Sequence, residues 1–218
     1  YLYTHSPHLI SHLISSDTDN SLKQFLIKKG LIKSLYASVH DEGIFIVSIS
    51  LSKLENWKEV DSYFRYYMND LKNNNWNYIG NYYKKKDKIL FDYTSKIDSE
   101  SLGLILVTNL IYYPIDKAYI GPSVVENINT DEIDSLLKEY LTFDRVNIVI
   151  SSDRPNETNL KLGDKLTEPY YDLEYNKLNL ELEEPKKFNY QVITDNPFLN
   201  INPIIYNKDE VDIKPRLI

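Results

Sequence analysis

The chain has 218 residues, a formal net charge of −7, 42% hydrophobic residues and no cysteine, which suits one large domain with a substantial core. The acidic balance argues against a general nucleic-acid binder, because neutralising phosphates requires clustered Lys and Arg, and the lack of cysteine excludes disulfides, thiolate zinc sites and cysteine nucleophiles. No apolar run approaches the ~18 residues of a membrane span and no targeting segment is visible, so we expect no membrane association and a cytoplasmic protein.

Helical spacing predicts two helices at the start of the chain. An apolar stripe and the early Pro7 predict a helix over residues 5–15. A second helix is predicted to be capped by Asn20 and to end at Gly30, because glycine readily takes the left-handed conformation that follows many helices. Three of the four histidines lie in or beside the first helix.

A β-hairpin is predicted next. Residues 31–40 alternate between apolar and polar side chains, which indicates a strand, and Asp41-Glu42-Gly43 is a turn signal. Residues 44–51 are apolar at most positions, so the second strand is expected in the interior of a sheet.

The later elements complete an α+β pattern. Ser52 and Glu55 fit a capping box that opens a long helix. The elements expected after it are a break at residues 73–75, helices over 76–91 and from Asp98 to Pro114, a helix capped by Asn129 or Thr130, and a strand over 145–150. Strands and helices in separate blocks predict a mainly antiparallel sheet covered by helices on one face.

Proline usage divides the chain near residue 152. Six of the nine prolines lie beyond Asp153, which predicts an extended tail with short strands or turns rather than a second packed domain. We therefore expect an α+β domain over residues 1–152 and a tail over residues 153–218. The chain begins at Tyr1 without an initiator methionine, inside patterned sequence, and we interpret it as a fragment of a longer protein.

Two histidines four residues apart raise the question of a metal site. On a helix, His8 and His12 lie on one face, at the spacing of two zinc ligands in His-x-x-Glu-His motifs. The position that needs a carboxylate is occupied by Ser11, whose hydroxyl cannot act as a general base near neutral pH without an activating partner. The sequence therefore favours polar helix residues near a groove over a metal enzyme, and it predicts no catalytic or metal-ligating residue.

A second candidate is the strand that follows the histidine-bearing helix. The segment Leu35-Tyr36-Ala37-Ser38-Val39 is short, with small residues near its centre. At a sheet edge, its backbone groups can pair with an extended peptide. The alternative is an ordinary edge that is protected by its shortness and by the polar His40 and Asp41.

Several segments resemble the second domain of insulysin-type metallopeptidases of the M16 family. They are, in chain order, Pro7 to Ile14, Ser21 to Gly30, Tyr112-Tyr113-Pro114, Val146 to Ser151, Glu168 to Tyr175 and Asn196 to Leu199. Each segment alone is weak. Together, in the family's order over nearly the whole chain, they are specific.

The resemblance implies a piece of a four-domain, clamshell-shaped zinc endopeptidase. Zinc would be held in the parent's first domain by a His-x-x-Glu-His motif, which this sequence lacks, so the chain would have no cofactor and no activity alone. The family's second domain lines the chamber and anchors the amino terminus of peptide substrates, which makes peptides and the other parent domains the expected partners. By position, the substrate-binding residues would be His8, Ser11, His12, Ser15, Leu35, Tyr36, Ala37, Ser38 and Val39.

The sequence departs from the family where glycines are expected. Ser11, Ser15, Ala37 and Ser38 replace them, so the peptide path should be narrower or differently shaped, since glycine permits close backbone approach. Residues 98–100 are acidic or polar where some members carry polyanion-binding basic residues, so polyanion regulation is not expected. One strand of the family's sheet would lie before Tyr1.

The sequence is compatible with three functional hypotheses. The first is a substrate-capturing, chamber-forming inactive domain of an insulinase-like zinc endopeptidase. The second is a catalytically inert structural or interaction subunit with a peptidase-like fold. The third is a self-contained metal enzyme that uses His8 and His12.

Overall fold

The structure is a computed structural model, which describes residues 5–40, 43–121, 123–125, 128–153, 160, 162–178, 181–194 and 196–200. The helices are α1 (Ser6–Ser15), α2 (Leu22–Lys28), α3 (Trp57–Leu71), α4 (Trp76–Asp92), α5 (Ser99–Asn109) and α6 (Thr130–Ser135). The strands are β1 (Ile32–Val39), β2 (Phe45–Leu51), β3 (Leu162–Thr167) and β4 (Glu174–Leu178). A 3-10 turn at Leu54–Asn56 precedes α3, and a π-helical turn at Leu136–Tyr140 follows α6.

Strands β1 and β2 form an antiparallel hairpin, as predicted. Tyr36 lies opposite Ser48 and Ala37 lies opposite Val47, with an irregularity between Ile32 and Ser34. Asp41 and Glu42 of the expected turn lie outside the described residues. Gly43 has a φ of 78°, a conformation that favours glycine, and its N–H donates to the His40 carbonyl.

Helices cover one face of this hairpin and form the core with it. Helix α1 packs against β1, and α2 and α3 extend the same layer. Buried side chains from these elements and from α4 and the α6 region form one cluster, which includes Ile10, Leu13, Ile14, Leu22, Leu26, Leu35, Tyr67, Leu71, Ile133 and Leu137. The α+β class with helices on one face of an antiparallel sheet is therefore confirmed.

Two predicted caps are wrong. The cap of α2 is Ser21, whose hydroxyl accepts from the Gln24 N–H at 3.2 Å, in place of Asn20. Ser52 does not cap a helix: Lys53 and Asn56 stand at the N-cap positions of the 3-10 turn and of α3, and the Ser52 N–H donates to the Leu31 carbonyl, which continues the β1–β2 ladder. The chain then passes through the 3-10 turn before α3 begins at Trp57.

Two strand predictions also need correction. Strand β2 does not lie in a sheet interior within the described part of the chain, because its residues alternate between half-buried and exposed. Residues 145–150 are not a strand: Val149 is 87% exposed and this described segment pairs with no neighbour. An apolar segment becomes a buried strand only where flanking strands pair with it and another layer covers it.

The tail contributes to the core through Phe188 and the residues that follow it, among them Tyr190, Val192 and Ile193. Strands β3 and β4 form an antiparallel hairpin, consistent with the short strands expected there. Phe188 is buried in the main cluster, where its ring stacks on Phe25 with centroids 4.4 Å apart. The boundary at residue 152 stays a prediction. Among the described residues, no helix is both long and apolar enough to cross a membrane.

Candidate functional site

The candidate residues of α1 lie on two different faces of the helix. His8 and His12 are on the outward face, one turn apart. Ser11 is buried, and its hydroxyl donates to the His8 carbonyl at 2.8 Å within the same helix. The hydroxyl of Ser11 is therefore used locally and does not face an incoming ligand.

The surroundings of His12 are unfavourable for a cation. Partial burial lowers the pKa of His12 below its ordinary value, and the positive charges of Lys86 and His8 lower it further. Its ring lies 5.9 Å from the Tyr83 ring, and the Lys86 ammonium sits over that ring at 5.0 Å. This arrangement disfavours the imidazolium form.

The described residues do not fit a zinc ion. Within the described ranges, no three His, Cys, Asp or Glu side chains are grouped closely enough to hold a metal ion. Lys86 lies close enough to His12 for its positive charge to lower the pKa of the imidazole, whereas a zinc site needs anionic or neutral donors there. We therefore derive no chemical step through zinc at this pair of histidines.

The candidate residues of β1 divide between two faces of the sheet. Leu35 and Ala37 are 1% and 5% exposed and face the helices. Tyr36 points to the opposite face and is 63% exposed, while Ser38 and Val39 are half-buried. Of the predicted strand, Tyr36 and the end at Ser38 and Val39 are accessible.

Ser15 connects the two candidate segments. The Ala37 N–H donates to the Ser15 hydroxyl at 2.7 Å, and the same hydroxyl lies 3.4 Å from the Ala37 carbonyl. These two backbone groups point away from β2, so the hydroxyl occupies a position that a docking peptide would take at the outer edge of β1. A peptide that pairs at Ala37 must first displace Ser15.

The sheet face that the described helices leave uncovered includes Tyr36 and Ser38 of the predicted site, but its residues from β2 were not predicted. Cross-strand partners share a face, which places Ser34, Tyr36 and Ser38 of β1 with Ser50, Ser48 and Ile46 of β2. We call these six residues the open face; five of them are exposed and Ser38 is half-buried. The alternation of Ser48 and Ser50 with Val47 and Ile49 was the sequence signal for it.

No protein-family profile and no curated protein matches this chain. Among solved structures, the crystal structure of pitrilysin is similar, with a TM-score of 0.56 and 19% sequence identity over 62% of this chain. The match covers 15% of the pitrilysin chain, so this chain spans a small part of that protein. The fold of this chain is therefore similar to that of a part of the pitrilysin chain.

Proposed function

We propose that this chain is a substrate-capturing, chamber-forming and non-catalytic domain of an insulysin-type zinc endopeptidase that degrades short peptides. The proposal rests on the M16-like fold and on one observation: the helices of the described residues cover one face of the hairpin, and the open face is accessible. A one-sided sheet of this kind is suited to line a cavity whose outer wall is made by the helices.

The capture surface would combine the open face with the end of β1. Tyr36 offers a large, amphipathic side chain to a passing peptide. Backbone carbonyls near Val39 would accept from the free amine of the peptide, because Ser15 bonds to the backbone of Ala37 and not to the backbone of Val39. Pairing through the backbone tolerates many peptide sequences.

Catalysis would take place outside this chain. The sequence has no His-x-x-Glu-His motif, and the described residues do not fit a zinc ion. Zinc in another domain of the parent would supply an activated water for peptide hydrolysis. The role of this chain is then to hold the peptide and exclude bulk water.

Peptide binding with and without a free amine tests the proposal. A fluorescent, unstructured peptide of ~20 residues should bind saturably by anisotropy, and acetylation of its amino terminus should weaken binding about tenfold, as expected for the loss of a charge-assisted hydrogen bond. Tyr36→Ala should also weaken binding, whereas Tyr171→Ala, at an exposed tail position, should not. Equal affinity for both peptides would contradict amine capture.

The second candidate is a catalytically inert structural or interaction subunit. It is favoured by α5, which is rich in apolar residues but has no buried residue in the fully described range 99–109. Leu104 and Val107, for example, are 71% and 66% exposed. A helix with this much exposed apolar surface suits a contact with another domain or subunit. Absence of peptide binding by a folded chain would favour this candidate.

A further inference from the structure

A cavity lies where the tail passes over the helices, away from the capture surface. Its volume is about 760 Å³, and its lining comes from the loop before α2, the carboxyl end of α3, the start of α4 and residues 187–193. The tail is fixed there by its backbone: the N–H of Lys186 donates to the Ser62 carbonyl and that of Gln191 to the Asn20 carbonyl. The volume is within the ~300–1,000 Å³ that is typical of small-molecule sites.

Asp70 places a carboxylate in this cavity. It is half-buried on α3, and its Oδ2 accepts from the Tyr190 hydroxyl at 2.9 Å. Within the described part of the chain, Asp70 forms no ion pair with a lysine, arginine or histidine. Lys187 also lines the cavity, but it is exposed and does not pair with Asp70. Because a partly buried charge is stabilised by an opposite charge, the cavity favours a cation.

Aromatic rings surround this carboxylate. Tyr66, Tyr78, Phe188 and Tyr190 all line the cavity. The rings of Tyr66 and Tyr190 contact that of Phe188, with centroids 5.8 Å and 5.2 Å away from it. Burial and the hydrogen bond to Asp70 raise the pKa of Tyr190, so its phenol stays neutral at pH 7. The negative face of a neutral aromatic ring attracts a cation, and the same ring packs against alkyl groups.

The acceptors of the cavity suit an ammonium group better than other organic cations. An alkylammonium has three N–H donors and no acceptor, and acceptors are available from Asp70 and from the side-chain amides of Asn74 and Asn189, which also line the cavity. A guanidinium pairs best with both oxygens of a carboxylate, but the Tyr190 hydroxyl already bonds to Oδ2. A quaternary ammonium has no N–H donor to offer Asp70.

We propose that this cavity binds the ammonium group of an alkylamine, carried either by a free polyamine or by a lysine side chain. The ammonium bonds to Asp70, and the alkyl chain lies against the rings of Tyr66 and Tyr78. No residue of the lining belongs to the capture surface or to the open face. Tyr36→Ala should therefore leave amine binding at this cavity unchanged, and the two proposals can fail independently.

Isothermal titration calorimetry with spermidine tests the site. Spermidine should bind saturably to the folded chain, whereas triethylene glycol, which is flexible and polar but uncharged, should not bind. Absence of spermidine binding by the folded chain, or equal binding of the two compounds, would overturn the proposal.

A pair of charge-removing variants places the site at Asp70. Asp70→Asn keeps an acceptor for the Tyr190 hydroxyl, so it should fold, and it should weaken spermidine binding at least about tenfold. Asp164→Asn removes the same charge at an exposed position of β3 and should bind as the native chain does. Equal weakening in both variants would mean that spermidine is attracted to the acidic chain as a whole, which would overturn the site.

A second pair tests the aromatic wall. Tyr78 is 54% exposed, so Tyr78→Leu should fold, and it should weaken spermidine binding about threefold through the loss of a ring that attracts the cation. Tyr93→Leu, at a position that is 64% exposed and outside the cavity, should bind normally. Equal binding by these two variants would contradict the role of the ring.

Two further comparisons identify the occupant. Lys187→Gln should bind spermidine at least as tightly as the native chain, and binding that appears only in this variant would assign the cavity to Lys187 itself and overturn the proposal. N-acetyl-lysine amide, compared with its Nε-acetylated form, represents a lysine side chain. Tighter binding of spermidine would assign a free polyamine, and tighter binding of the lysine derivative would assign a lysine side chain; both results support the ammonium site.

Discussion

The Ser15 hydroxyl lies 2.7 Å from the backbone nitrogen of Ala37, which joins the end of α1 to the outer edge of β1. Residues 22 positions apart thus meet at the centre of the predicted peptide-binding segment. The contact satisfies a buried donor and also blocks that edge. Ser15 therefore stabilises the fold and, by the same contact, limits the access of a peptide to this edge of β1.

Replacing Ser15 should separate these two effects. Ser15→Ala leaves the Ala37 N–H buried without its partner, so unfolding in urea should show a loss of about 1–3 kcal/mol. Ser15→Gly should lose similar stability while opening the edge, and it should bind a free-amine peptide more tightly than the native chain does. Ser34→Ala, at an exposed position of the same strand, should change stability by no more than about 0.5 kcal/mol.

The result would contradict the blocking role of Ser15 if Ser15→Gly lost stability but bound the peptide no better. The hydroxyl would then be purely structural. Ser15→Thr retains a hydroxyl, so the folded variant should bind the free-amine peptide with the affinity of the native chain.

Stability should fall at alkaline pH because of buried tyrosines. Burial raises the pKa of Tyr67 well above its ordinary value, and burial also raises the pKa of Tyr83 and Tyr190. Above pH ~10 the unfolded chain loses these phenolic protons while the folded chain keeps them, so stability is fully present below that pH and declines above it. The slope is at most about 1.4 kcal/mol per pH unit for each tyrosine.

Tyr67→Phe should make this decline shallower. The variant should lose about 0.5–1.5 kcal/mol at pH 7, because the Tyr67 hydroxyl donates to the Leu13 carbonyl at 3.2 Å. Urea unfolding followed by circular dichroism between pH 8 and 11 measures both effects. Tyr170→Phe, at a position that is 87% exposed, is the matched control. Identical slopes for the two variants would contradict the role of Tyr67.

Removing one lysine should raise the pKa of His12. The charge of Lys86 is one of the causes that lower this pKa, so Lys86→Gln should shift the imidazole titration toward higher pH, as followed by NMR. Lys84→Gln is the control, because Lys84 is exposed on the same helix and is not among these causes. An unchanged titration in Lys86→Gln would show that the charge of Lys86 does not lower the pKa of His12.

Phe188 should be the residue of the tail on which the core most depends. Its buried ring contacts Phe25 at 4.4 Å and Tyr63 at 5.7 Å between centroids. Phe188→Ala should reduce the free energy of unfolding by about 3–5 kcal/mol. Leu182→Ala, at an exposed tail position, should change it by about 0.5 kcal/mol or less. Equal effects would mean that the tail packs less closely than its aromatic contacts indicate.

Local patterns of the sequence were enough to predict the helices and the hairpin. Helical spacing defined α1, α3 and α4, and Gly30 and Gly43 stand at positive φ where a helix ends and a turn closes. Such signals act through neighbouring residues, so they need no knowledge of the rest of the fold. The α+β class and the M16-like resemblance follow from the order of these elements and motifs.

The tertiary structure alone decided which of these elements are covered. The sequence predicts a strand at residues 145–150 and an apolar helix at α5. In the structure, the former pairs with no described neighbour, and no residue of the latter is buried. The contact of Ser15 with Ala37, and the lack of a third strand beside β2 among the described residues, were equally beyond the sequence patterns. Burial and edge pairing depend on residues that are distant in sequence, whereas periodicity records only the local backbone and the preference of a side chain for a face.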